Sequence, residues 1–217
     1  MLKIYGRASS VNVQRVLWAV DELGLAYERI DRGGRYGGLD DADYIAMNPH
    51  RRVPSIVDGD VVVWESNAII RYLAAKYGPS ALWPDKLGQR AQADQWMDWT
   101  QSTLSADYYD LFWQVVRTPA SKRNADRITE AADRAGRHYD LLDAWMAHRS
   151  FMLGDTFSLA DISIGVTLHR YLSVLKEAAL PPRRQYALRD WYARLADCPA
   201  YRTNVMASYE ELRAYDA

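Results

Sequence analysis

Apolar residues in the first third of the chain occur as short runs separated by one stretch with helical spacing. The run Leu2–Tyr5 predicts a short strand, and residues 27–31 alternate as a second strand. Between them, apolar positions recur every three or four residues and predict a helix that stops at Gly24; they are Val13, Val16, Leu17, Val20 and Leu23. Strand, helix and strand in this order predict a parallel, right-handed βαβ unit.

Two further apolar runs, residues 55–57 and Val61–Trp64, flank an Asp-Gly pair, which is the pattern of a β-hairpin. Pro54 stands just before the first of these strands, where a residue without an N–H is tolerated. An X-Pro bond is also the one place where a cis peptide costs little. We therefore predict a cis bond between Val53 and Pro54, with the backbone groups of Val53 turned outward to pair with an extended ligand.

A helical pattern over Ser66–Tyr77 follows the hairpin directly, and Ser66 is a suitable N-cap residue. Residues 32–47 are irregular apart from one or two helical turns, and their glycines do not match the GxGxxG pattern of a dinucleotide site. The order βαβ followed by ββα predicts an α/β, thioredoxin-like domain over residues 1–78. Two prolines punctuate residues 79–88, which we interpret as an interdomain linker.

Residues 89–217 show only helical patterns, which predict an all-α domain. Long patterns cover residues 89–118 and 121–148, and helices of that length can pair as an antiparallel hairpin. Ser-Leu-Ala-Asp at residues 158–161 is a capping box, and the helix after it is apolar on most sides, so we expect that helix at the centre of the domain. A further helix is predicted over residues 186–196, and the tail from residue 201 onward reads as short and polar.

The composition of the chain limits the kinds of binding partner and site that we expect. The chain has 217 residues with a formal net charge of −1, which gives no reason to expect nucleic acid as a partner. Cys198 is the sole cysteine and the four histidines lack metal-ligand spacing, so we expect neither a disulfide nor a metal site. The chain opens without a signal-peptide pattern, and no run approaches the ~18 apolar residues of a transmembrane helix. We therefore expect a soluble cytoplasmic protein with no membrane partner.

Three motifs match segments of one known family. Asn-Pro at residues 48–49 with Val53-Pro54 matches the family's loop before its cis-proline, Glu-Ser-Asn-Ala-Ile at residues 65–69 matches its γ-glutamyl-binding segment, and residues 154–161 match its C-terminal capping box. The whole chain thus resembles a cytosolic glutathione S-transferase of the serine type, similar to the bacterial theta, phi and zeta classes. The resemblance implies a thioredoxin-like N-terminal domain, an all-helical C-terminal domain, a homodimer, glutathione as co-substrate and a role in detoxification.

The resemblance also places the catalytic position after the first strand. Ser10, two residues before Asn12, matches the serine that activates the nucleophile in the serine-type classes. A hydroxyl at a helix N-terminus can do this because it favours the ionised form of a bound thiol. Asn12 is also implied to belong to the catalytic site, with bracing of the loop as the alternative, and Ser9 is implied to assist in binding glutathione or to cap the helix. Ser10 is alternatively a plain N-cap. The Ser-Ser pair is also similar to that of the zeta-type isomerases, but Val11 stands where they have cysteine.

Glutathione binding is implied for two segments. Arg51 and Arg52 stand where the family often has Gly or His followed by Lys, Gln or an apolar residue, and either arginine suits a bidentate contact with the glycyl carboxylate. The Val53–Pro54 pair would present its backbone to the peptide. Glu65 is implied to take the ammonium group of the γ-glutamyl end, and Ser66 its carboxylate.

An aromatic cluster is the candidate pocket for the second substrate. It consists of Tyr108, Tyr109, Phe112 and Trp113. The same pattern is equally compatible with a core or a dimer contact.

The expected function is glutathione transfer, in which the bound thiolate attacks a hydrophobic, small-molecule electrophile. One alternative is a glutathione-dependent isomerase acting on a maleylacetoacetate-like compound, or a dehalogenase, on the same scaffold. Another is a protein that binds glutathione or hydrophobic ligands without catalysis. A redox role is disfavoured because no cysteine occupies the active-site turn.

Overall fold

The computed structural model describes residues 1–79, 81–181 and 183–216, and its N-terminal part is built on a four-stranded mixed sheet. The strands are β1 (Leu2–Tyr5), β2 (Tyr27–Ile30), β3 (Ser55–Asp58) and β4 (Val61–Trp64). Their order is β2-β1-β3-β4, with β1 parallel to β2 and antiparallel to β3. Strands β3 and β4 pair antiparallel around the Asp-Gly turn, which confirms the predicted hairpin.

The remaining elements are helical. The helices beside the sheet are α1 (Val11–Glu22), α2 (Ala42–Met47) and α3 (Ser66–Tyr77). Those that follow are α4 (Leu87–Trp99), α5 (Ser105–Phe112), α6 (Ala125–Met146), α7 (Leu159–Glu177), α8 (Tyr186–Asp197) and α9 (Pro199–Asn204). Wide π-helical turns at Thr100–Leu104 and Trp113–Arg117 join α4 to α5 and extend α5. The α/β thioredoxin-like domain and the all-α domain are both confirmed.

Helix α1 is the element on which both parts of the molecule pack, because it contacts α3 on one side and α7 and α9 on the other. Its Trp18 is fully buried, with its ring 4.7 Å from that of Tyr201 near the C-terminus. A Cβ atom at Gly165 in α7 would lie 3.0 Å from the Trp18 ring, so glycine lets the two helices approach. Burial on both sides positions the N-terminus of α1 firmly between the two domains.

Helix α7 lies at the centre of the helical domain and begins with the predicted capping box. The Asp161 carboxylate accepts hydrogen bonds from the Ser158 N–H and hydroxyl, both at 3.0 Å. It also accepts the Met152 N–H at 2.8 Å and the Trp191 indole N–H at 3.0 Å. One buried carboxylate therefore joins the start of α7 to the preceding turn and to α8.

Some sequence-based details are wrong. Glu65, with φ 69°, is the N-cap of α3, and Ser66 is the first residue inside that helix. The helix predicted from residue 121 begins at Ala125. The tail is not simply polar, because Tyr201 and Leu212 are buried, and the Tyr201 hydroxyl donates to the Gly165 carbonyl at 2.9 Å. Periodicity could not show this, since the tail covers residues far away in the chain.

The peptide bond between Val53 and Pro54 is cis, as predicted. The division into residues 1–78, a linker over 79–88 and residues 89–217 stays a prediction. Residues 80, 182 and 217, which fall within these ranges, lie outside the described residues.

Candidate active site

A cleft of about 600 Å³ lies between the N-terminus of α1, the loop before β3 and the helical run that contains α5. Many of the residues singled out from the sequence line it: Ser10, Asn12, Arg51, Arg52, Val53, Tyr108, Tyr109, Phe112 and Trp113. Others do not: Ser9, Pro54, Glu65 and Ser66. The fold therefore brings three distant segments of the chain to one cleft.

Ser10 stands at the N-terminus of α1, and its hydroxyl has no hydrogen-bond partner among the residues that the structure describes. Its backbone is extended, with φ −75° and ψ 124°, and its carbonyl accepts the Gln14 N–H at 2.8 Å. The side chain makes no capping hydrogen bond, and the first turn of α1 carries no acidic residue. An anion beside Ser10 would therefore meet both a free hydroxyl donor and the positive end of the helix dipole. A plain N-cap would show the capping bond that is missing here.

Ser9 lies behind the wall of the cleft. It is only 3% exposed, and its Oγ has no hydrogen-bond partner among the described residues. Its carbonyl accepts a hydrogen bond from Nη2 of Arg170 at 3.3 Å. Two adjacent serines thus have opposite environments, one facing the cleft and the other facing the interior.

Arg15, a buried cation, connects Asn12 with the start of α3. Its Nη1 donates to Oδ1 of Asn12 at 2.9 Å and to Oγ of Ser66 at 2.6 Å, and its Nη2 donates to the Ser163 carbonyl at 3.1 Å. Burial lowers the pKa of Arg15 to about 10, which leaves the guanidinium charged at neutral pH. Sequence reasoning missed this residue, although a charge inside the apolar pattern of α1 was the available signal.

The loop before β3 carries exposed arginine side chains on a braced backbone. The Arg52 carbonyl accepts hydrogen bonds from the Tyr44 hydroxyl at 2.6 Å and from Nδ2 of Asn48 at 2.8 Å. The Arg51 side chain pairs with Asp40 at 3.1 Å. Within the described chain the guanidinium of Arg52 has no hydrogen-bonded partner, so Arg52 is the better placed of the two to receive an anion.

Glu65 and Ser66 form a polar corner at the start of α3. Glu65 adopts a left-handed backbone conformation, which costs a non-glycine residue about 1 kcal/mol or more, and its side chain is exposed. Ser66 is buried, and the first N–H groups of a helix have no partner inside the helix. The corner offers a carboxylate beside unpaired N–H donors, at one end of the Arg15 network.

The aromatic cluster lies on the wall of the cleft. Tyr108 is buried, whereas Tyr109 is 41% and Trp113 is 62% exposed. The rings of Tyr108 and Tyr109 are 5.1 Å apart. Burial raises the pKa of Tyr108, so its hydroxyl is protonated at neutral pH. The cluster thus contributes to the cleft, and the rings of Tyr109 and Trp113 also face solvent.

Three more arginines, Arg7, Arg117 and Arg170, line the same cleft. Arg7 comes from the loop after β1, Arg117 from the last π-helical turn, and Arg170 from α7. Sequence reasoning missed all three. For Arg170 a signal was available, because it is a cation within a helix that was predicted to be apolar on most sides.

Comparison with known proteins gives a consistent result. The family model for the glutathione S-transferase N-terminal domain matches residues 1–75, and that for the C-terminal domain matches residues 125–194. The chain is 39% identical to glutathione S-transferase GstB of Escherichia coli K12, over 95% of this chain and 98% of that protein. It is 30% identical to glutathione S-transferase 3 of Zea mays, over 95% and 94% of the two chains.

A solved structure agrees with these matches. The theta class glutathione S-transferase of Xanthomonas axonopodis pv. citri, with glutathione bound, is 42% identical and has a TM-score of 0.89, covering 96% of this chain and 98% of that one. Both halves of the family are therefore present in the expected order. The chain belongs to the glutathione S-transferase family.

Proposed function

We propose that this protein transfers glutathione to an electrophile, and that Ser10 holds the thiolate for attack. The observation that carries the proposal is the hydroxyl of Ser10, which makes no capping hydrogen bond within the described chain and lies at the positive end of α1 on the wall of the cleft. A free thiol with a pKa near ~8.5 is only about 3% ionised at pH 7, and the thiolate is the reactive form. Each unit by which the site lowers that pKa is worth about 1.4 kcal/mol in favour of the thiolate.

Glutathione spans two parts of the N-terminal domain in this proposal. Arg52 binds the glycyl carboxylate, with Arg51 beside it, and the backbone of Val53 pairs with the cysteinyl part of the peptide. Glu65 takes the ammonium group, while Ser66 and the free N–H groups of α3 receive the γ-glutamyl carboxylate. The exposed guanidinium of Arg52 and the left-handed Glu65 corner support this placement.

The chemistry needs no covalent bond to the protein. The thiol proton leaves to solvent, the sulfur electron pair forms a bond to the electrophilic carbon, and a leaving group departs with its bonding pair or a polarised double bond accepts it. Ser10 donates a hydrogen bond to sulfur, and Asn12, held by Arg15, supports the loop. The aromatic wall from Tyr108 to Trp113 packs against the electrophile.

Assembly and cellular place are part of the same proposal. We place the protein in the cytoplasm as a homodimer with a detoxifying role. Exposed apolar side chains on the edge strand β4, namely Val61, Val62 and Trp64, support a dimer because such an edge is normally covered. A chain with a single cysteine, Cys198, suits a reducing compartment. Within the described residues, no helix combines the length and the apolar character needed to cross a membrane.

A panel of electrophiles with purified protein and glutathione tests the proposal. The panel contains an aryl chloride, a haloalkane and a maleyl diketone. Turnover of the aryl chloride is the expected result. Isomerisation of the diketone alone would indicate an isomerase, halide release from the haloalkane alone a dehalogenase, and glutathione binding without any turnover a binding protein.

A further inference from the structure

The wall of the cleft carries an excess of positive charge. Among the described residues that line it, the charged ones are arginines, at positions 7, 51, 52, 117 and 170, and none is an aspartate or glutamate. A pocket for an uncharged hydrophobic electrophile has no need of such a wall. Arg51 and Arg52 stand near the proposed glycyl end of glutathione, which leaves the other three without an assigned ligand.

Arg170 is the most informative of these three. It is 1% exposed, yet its Nε and Nη1 have no hydrogen-bond partner in the part of the chain that the structure describes. Its Nη2 makes only long contacts, at 3.3 Å, with the Ser9 carbonyl and with Oε1 of Gln14, both uncharged. Its guanidinium lies 4.2 Å from the centre of the Tyr209 ring, which fixes its plane. A buried cation without a paired anion is costly, which makes Arg170 a candidate to bind one.

Arg7 and Arg117 strengthen the same field. Both line the cleft, and burial followed by the charge of Arg117 lowers the pKa of Arg7, although the charge of Glu211 offsets part of this effect. A Cβ atom at Gly33 or Gly34 would come within 3.0 to 3.2 Å of the Arg7 side chain, so the two glycines make room for it. The fold therefore holds like charges together at the cleft.

Nearby carboxylates are engaged elsewhere. Glu211 forms an ion pair with Arg35 at 3.0 Å, and Glu177 accepts a hydrogen bond from Nη2 of Arg213 at 3.0 Å. Among the described residues, no carboxylate forms an ion pair with Arg7, Arg117 or Arg170. An anionic group that enters the cleft would therefore meet three arginines that have no ion-paired carboxylate in the described chain.

We propose that the electrophile carries a carboxylate, which Arg7, Arg117 and Arg170 bind while its reactive carbon faces Ser10. The planar fork of an arginine matches the two oxygens of a carboxylate. Arg170 donates to the carbonyl of Ser9, the residue before Ser10. One small electrophile could therefore place its carboxylate at Arg170 and its reactive carbon at the thiolate. The electrophile must be small, because the same cleft of about 600 Å³ also receives the thiol end of glutathione. This inference rests on the proposed transferase function.

A matched pair of substrates tests it. They are 4-chloro-3,5-dinitrobenzoate and 4-chloro-3,5-dinitrobenzamide, which share the leaving group and the nitro groups and differ in charge. In both, glutathione sulfur replaces chloride, which departs with its bonding pair. Each kcat/KM is divided by the uncatalysed rate constant to remove the electronic difference. We expect a preference of about ten- to a hundredfold for the benzoate, the value of one or two charge-assisted hydrogen bonds. Equal values, or a preference for the amide, would overturn the proposal.

Variants assign the preference to the arginines. Arg170→Met and the half-buried Arg117→Gln should each lower the normalised benzoate kcat/KM at least tenfold more than that of the amide. Arg137→Met removes an exposed arginine of α6 and should leave the ratio unchanged. An equal loss for both substrates, with a higher pKa of bound glutathione, would show that Arg170 acts on the sulfur and would refute the carboxylate site. If Arg170→Met fails to fold, Arg117→Gln carries the test.

Calorimetry separates failure of this inference from failure of the transferase function. Unreactive 3,5-dinitrobenzoate and 3,5-dinitrobenzamide are titrated into the protein with glutathione present. Tighter binding of the benzoate that Arg117→Gln abolishes would support the anion site even if the protein turned over no electrophile. Turnover of aryl chlorides with no difference between the two ligands would leave the transferase in place and reject the anion site.

Discussion

Replacing Ser10 by alanine removes one hydroxyl from the cleft and little else. The Ser10 hydroxyl makes no capping bond to the first turn of α1, so its removal should change the free energy of unfolding by less than about 0.5 kcal/mol. Any loss of activity can then be attributed to the missing contact with glutathione sulfur. This makes Ser10→Ala a direct test of the proposed mechanism.

The magnitude follows from one charge-assisted hydrogen bond, about 1.5–3 kcal/mol. Because the bond favours the thiolate over the thiol, its loss should raise the pKa of bound glutathione by roughly one to two units. At neutral pH the rate should fall about ten- to a hundredfold. The deficit should shrink as pH rises, since the thiol then ionises without help.

The assay is the pH–rate profile of kcat/KM for wild type, Ser10→Ala and Ser9→Ala with one electrophile. Ser9→Ala is the matched control, because the Ser9 hydroxyl is buried and has no hydrogen-bond partner in the described structure. It should leave the profile in place. If Ser9→Ala moves the profile and Ser10→Ala does not, the hydroxyl has been assigned to the wrong serine.

Four further predictions concern the stability and the oligomeric state of the protein. Arg15→Met removes one hydrogen bond within α1 and two that join α1 to α3 and α7, and urea unfolding should show a loss of about 2–4 kcal/mol. Asp161→Ala removes four hydrogen bonds and should cost about 3–5 kcal/mol, whereas Asp126→Ala, on the exposed first turn of α6, should cost under about 1 kcal/mol. Burial, and then the charge of Arg170, lowers the pKa of His169 to about 4, so the unfolded state binds the proton more tightly than the folded state. The free energy of unfolding should therefore fall by up to about 3 kcal/mol between about pH 6.5 and pH 4. His169→Gln should flatten that part of the pH–stability curve. Sedimentation at micromolar concentration should give about twice the chain mass of 24.8 kDa, and a monomer would contradict the proposed dimer.

Local patterns predicted the elements well, because hydrogen-bonding periodicity and capping act over a few residues. The period of two around Asp-Gly gave the hairpin, and the capping box at residues 158–161 gave the start of α7. Helix α3 was predicted with its observed bounds, but its cap was assigned one residue too late, because a left-handed glutamate at a helix start is rare.

The sequence by itself determined the fold class, the family resemblance and Ser10 as the hydroxyl at the start of α1. Tertiary structure alone decided which charged side chains are buried and what they face. Arg15 reaches a residue 51 positions away and another 148 positions away, and Arg170 reaches the peptide before Ser10 across 161 positions. Contacts over such separations depend on how α7 packs against α1, and no periodicity within either helix encodes that packing. The cationic wall of the cleft is therefore a product of the packing between the two domains.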